Sequence, residues 1–128
     1  MQNVTRYDPQ SPPDPGEWLR LDEAERIELV LRHHRHARVH LPNAHLHATI
    51  HVVVENLVAL GDQFPARRTL ERLQLEGLDR HDAVHAIGSV LAKQMYDLLK
   101  GEPPSGDPNV AYWAELDHLT AENWRHAR

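Results

Sequence analysis

An all-α fold is predicted by three features of the chain. Apolar residues recur at helical spacing in several separate runs, capping signals precede those runs, and no stretch alternates as a strand would. The expected architecture is a four-helix core bundle with a C-terminal helix packed on it and an extended Pro-rich N-terminal arm. Residues 1–17 are assigned to the arm and 18–128 to a single helical domain, because 128 residues suffice for one real core but not comfortably for two.

The arm holds Pro9, Pro12, Pro13, Pro15 and Gly16, which argues against a helix before residue 17 and for a segment lying on the surface or loose. Trp18 and Leu19 are expected to end it by docking on the body. The first core helix begins at Asp22, where Asp22 and Glu25 have the spacing of a capping box. Ile27, Val30, Leu31 and His34 then follow i, i+3, i+4, i+7. His34 therefore takes a core position, either as a hydrogen-bonded core histidine or as part of a polar site. His33, His36 and His40 are expected to be solvated.

The second core helix, Ala44 to Leu60, is the organising stretch. Leu46, Ile50, Val53, Leu57 and Leu60 recur at helical spacing, and Val52, Val54, Val58 and Ala59 leave little polar surface opposite. A helix apolar nearly all round belongs inside a bundle. Asn43 is its expected N-cap and Gly61 its C-terminal stop. A third helix, about Pro65 to Glu76, turns Leu70 and Leu73 inward, with Leu75 a further candidate. A fourth opens on Asp79 as N-cap and carries the stripe Val84, Ile87, Leu91, Met95 and Leu98 before Lys100-Gly101 ends it. Glu102 to Pro108 reads as a turn and Val110 to about His118 as a short helix; Leu119 to Trp124 continues or restarts it.

Composition narrows the function. A net charge of −5 disfavours nucleic acid, whose sequence-independent binding needs a basic face. Absence of cysteine removes disulfides, thiolate metal sites and cysteine nucleophiles, and fits a cytoplasmic setting. The first residues lack the pattern of a signal peptide, and the Ala44–Leu60 run is too short and too rich in histidine for a membrane helix.

The chain has 11 histidines, and most of them are clustered. His47, His51 and Glu55 stand at i, i+4 and i+8 and form one row along the organising helix. A carboxylate in such apolar surroundings must be paired, hydrogen-bonded, protonated or metal-bound. His81 and His85 repeat the i, i+4 pair on the fourth helix, a spacing that can hold one metal ion. The candidate metal ligands are thus His47, His51, Glu55, His81 and His85. Positions 47 to 55 span about 12 Å, too far for all three to share one ion. Nitrogen and oxygen ligands without sulfur suit zinc, iron or manganese. In the alternative, His51 or His85 hydrogen-bonds Glu55 and the cluster is structural. There is no His-Glu-x-x-His segment, no phosphate-cradling glycine loop, and no nucleophile-elbow context for Ser11, Ser89 or Ser105.

The segments His47-Ala-Thr-Ile-His51-Val-Val-Val-Glu55-Asn56 and Arg80-His81-Asp-Ala-Val-His85-Ala-Ile resemble a family of small bacterial helical domains of unknown function. That family carries His-Ala-x-x-His-x-x-Val-Glu-Asn and Arg-His-Glu-Ala-x-His-Ala-Ile. The likeness covers about residues 18 to 100 and departs at Asp82, where the family has glutamate, and at Leu57, where glutamine is expected. It implies a helical fold and singles out the same residues, without supplying an activity. Three function classes follow: a metal-binding protein, hydrolytic or redox; a non-catalytic helical module that binds a protein partner or itself; and, least favoured, a nucleic-acid binder.

Overall fold

The computed structural model describes residues 6–36, 43–101 and 108–127, and the side chains of His36, Pro108, Asn109 and Ala127 lie outside what is described. Among the described residues the fold is all-α. The elements are α1 (Pro15–Arg20), α2 (Glu23–His36), α3 (Ala44–Ala59), α4 (Ala66–Leu75), α5 (Arg80–Leu99), α6 (Pro108–His118) and α7 (Ala121–Ala127), with a single 3₁₀ turn at Gly61–Gln63. Helices α2 to α5 form the four-helix core, and α6 packs on α4 and α5.

Local chemistry sets the helix ends. Asp22 accepts from the Glu25 N–H at 2.8 Å while Glu25 accepts back from the Asp22 N–H at 3.5 Å, the reciprocal capping box. Asn43 caps α3 through the Leu46 N–H and Asp79 caps α5 through the Asp82 N–H. Gly61 follows α3 at φ 73°, a left-handed conformation that costs glycine little.

Helix α3 has a core on each flank. Ala48 and Val52 join Tyr7, Trp18, Leu29 and Val30 in one apolar cluster. Val54 joins Leu70, Leu73, Val84, Ile87 and Leu116 in the other. The row His47–His51–Glu55 runs along the seam between them, since residues one before and one after a given position fall on opposite flanks of a helix.

Several expectations are corrected. Residues before 17 do enter a helix: Pro15 starts α1, because a proline at the first helical position lacks only an N–H that would have no partner, and Asp14 caps it through the Glu17 N–H. From residue 6 onward the arm is not confined to the surface either, as Tyr7 and Pro9 are buried. Leu75 is 89% exposed, since it stands two residues after buried Leu73 and so on the opposite face of α4. The α5 stripe is buried only at its start, and Met95 and Leu98 are exposed. His33 is half-buried and sets its ring edge-on to Tyr7, His34 and His81. The side chain of His36, His40 and the turn at 102–107 lie outside the described residues. Of the two readings left open after His118, the restart holds, with Ala121–Ala127 forming α7 as a separate helix.

Candidate metal centre

Four histidines from three helices meet at the seam. His34 comes from α2, His51 from α3, and His81 and His85 from α5; one ring nitrogen of each lies within 4.8 Å of the others. Four imidazoles at this spacing could hold a metal ion. Their approach depends on Gly88, one turn beyond His85. A Cβ there would come within 2.8 Å of Ile50 Cγ2, so the glycine permits the close packing of α3 on α5. His51 Nε2 and His85 Nε2 are 2.9 Å apart across that contact.

The tautomers of two rings follow from their partners. His34 Nδ1 lies 2.8 Å from the Val30 carbonyl, which can only accept, so Nδ1 carries the proton and Nε2 the lone pair. Tyr7 donates its hydroxyl to Glu55 at 2.6 Å, leaving an oxygen lone pair for the proton on His51 Nδ1 at 3.1 Å. His51 Nε2 is then an acceptor, and across the 2.9 Å contact it takes the His85 Nε2–H. His81 Nε2 is buried with no hydrogen-bond partner.

Burial lowers the basicity of these rings. Burial, reinforced by the charges His34 and His81 would carry, pulls His47 down to about 4. Burial also pulls His51 far below the usual imidazole range, with His85 and His47 adding to it. His81 is lowered by burial and by His33 and His34, against the opposing pull of Asp79 and Asp82. A neutral imidazole is the form that binds a metal ion.

Beneath the histidines lies an ion pair. Arg80, at the first position of α5, donates to Glu55 Oε2 at 2.8 Å and to Glu55 Oε1 at 2.7 Å. The two side chains are 4% and 1% exposed, so each supplies the counter-charge that the other's burial requires. Burial alone would lower the Arg80 guanidinium, but the bonds and charge of Glu55 hold it above its ordinary value. Burial pushes the Tyr7 hydroxyl well above its ordinary range, and the Glu55 charge pushes it further. Arg80 also donates to the Pro9 carbonyl at 3.0 Å, fastening the arm beside Tyr7.

Of the five candidates from sequence, the structure brings His51, His81 and His85 into the four-histidine group. His47 stands against it, its ring centroid 4.8 Å from that of His34, with Nε2 buried and without a partner. Glu55 has both oxygens engaged by Arg80 and Tyr7. Sequence reasoning left His34 open between two roles and overlooked Arg80 and Tyr7. Arg80 carried a signal, adjoining His81 within the second segment. Tyr7 carried none beyond being an aromatic residue in a Pro-rich arm.

Compared with known proteins, the chain matches no family model, no curated protein and no solved structure. Among the described residues, no helix is long and apolar enough to cross a membrane.

Proposed function

We propose that the protein binds a divalent transition metal through His34, His51, His81 and His85, with Tyr7, Glu55 and Arg80 as the supporting layer. The observation that carries this reading is the protonation pattern. His34 and His51 each give their Nδ1 proton to a fixed acceptor, so both Nε2 lone pairs are turned to the group. A cation would take the place of the His85 Nε2 proton that His51 Nε2 now accepts. Orienting a ligating imidazole through its second nitrogen is how proteins ordinarily build such centres.

The spacing is compatible. Imidazole nitrogens around a tetrahedral ion at roughly 2.0–2.1 Å stand about 3.3 Å apart, and the observed group needs only a small contraction from its 4.8 Å limit. All-nitrogen, uncharged ligation favours zinc or iron. Manganese ranks below them, because it prefers oxygen donors. A bound ion that takes a fifth ligand beside the four imidazoles would supply Lewis-acid chemistry, polarising an oxygen or acidifying a bound water. The resemblance to helical domains carrying the same histidine segments agrees with this reading and adds no activity to it.

Elemental analysis of protein purified without a histidine tag tests it. Zinc or iron near stoichiometry is expected, with a melting temperature that falls on chelation and recovers when the ion is returned. His34→Ala, His51→Ala and His85→Ala should each abolish recovery. Metal-free protein whose melting ignores both chelator and added ions would overturn the proposal.

A further inference from the structure

A pocket of about 280 Å³ opens on one side of the histidine group. One end is formed by His47, His51 and His85, and the walls by apolar side chains including Val84, Ala92 and Trp124. Two of the four histidines assigned to the metal therefore face the same small cavity. A larger hollow of about 510 Å³ lies between the arm, α3 and α4, but the charges of Glu55 and Arg80 at its floor are engaged with each other.

Three features define what the smaller pocket would accept. The four imidazoles are neutral ligands, so a divalent ion there keeps its full positive charge and favours an anion as its next ligand. His47 lines the pocket and has a buried Nε2 with no hydrogen-bond partner, which a polar atom of a ligand would satisfy. The remaining walls are mostly apolar and suit a hydrocarbon body, and the volume is near the small end for ligand sites, about 300 Å³.

We propose, resting on the metal reading above, that this pocket binds a small monocarboxylate with an apolar body. One carboxylate oxygen would meet the metal as a fifth ligand beside the four imidazoles, the other accepts from the His47 Nε2–H, and the hydrocarbon part lies against Trp124 and Ala92. Binding alone is assigned here, with no bond made or broken.

The test uses the cobalt(II)-loaded full chain, whose visible spectrum reports the ion's ligand set. Benzoate should change that spectrum saturably and bind at least tenfold more tightly than acetate, which has almost no body, or benzyl alcohol, which has no charge. Ala92→Phe, which fills the pocket, should keep cobalt and lose benzoate affinity at least tenfold. Ser89→Leu gives a second obstruction from an exposed position on the same wall, should the first variant not fold. His47→Leu should weaken benzoate while cobalt stays bound. Cobalt uptake without a benzoate response, or equal affinities for benzoate and acetate, would overturn the ligand proposal alone. Failure to take up cobalt would overturn the metal reading and this inference together.

Discussion

The Tyr7 hydroxyl lies 3.1 Å from His51 Nδ1, joining residues 44 apart in sequence. Because that hydroxyl also donates to Glu55, a residue of the N-terminal arm decides which nitrogen of a core histidine is protonated. The arm is thus part of the candidate centre.

Removing that hydroxyl should therefore weaken metal binding more than it weakens the fold. Tyr7→Phe keeps the ring against Trp18 and deletes one partner each of His51 and Glu55. Loss of such a supporting hydrogen bond typically lowers metal affinity about 10- to 100-fold. Competition against a chromophoric chelator measures it, and unchanged affinity would mean that Tyr7 does not orient His51.

The Glu55–Arg80 pair should show strong coupling. Arg80→Met leaves Glu55 as an uncompensated buried charge, and Glu55→Leu does the same to Arg80. Each single change is expected to cost about 3–5 kcal/mol. The double variant should be less destabilised than the sum of the two. Urea denaturation of all four proteins gives the coupling, and strict additivity would show that the two charges do not depend on each other.

Metal-free protein should lose stability in mild acid. In the unfolded chain a histidine takes up its proton near 6.5, whereas His47 in the folded state does so only at about 4, and His51 and His81 are lowered as well. Between those values the unfolded state holds more protons, so falling pH favours unfolding. The contribution is fully present above about pH 6.5 and is lost as pH falls toward 4. Melting temperature against pH should show this slope, and His47→Gln should flatten it.

Gly88→Ala should loosen the centre from a distance. The added methyl group meets Ile50, and overpacking of this kind costs about 1–3 kcal/mol. Because Gly88 lies one turn from His85, metal affinity should fall with stability. Crowding relieved by Ile50→Ala, which removes Cγ2, should restore part of the metal affinity, and a Gly88→Ala protein as stable and as tight-binding as the original would refute the close-packing argument.

The helices and their caps were legible in the chain because they depend on neighbours three and four residues away. The Asp22–Glu25 capping box, the Asn43 and Asp79 caps and the doubly apolar character of α3 are local properties. The same local logic put His47, His51 and Glu55 in one row and paired His81 with His85. It could not say which of those rows would face each other, since that is set by how α2, α3 and α5 cross. Tertiary packing brought His34 into the group and directed Arg80 onto Glu55. It also sent Tyr7 from a Pro-rich arm to a ring 44 positions away. A buried charge requires a partner, and sequence determined that Glu55 must have one. Only the folded chain, by bringing α5 and the arm across the seam of two apolar cores, decided that the partners are Arg80 and Tyr7.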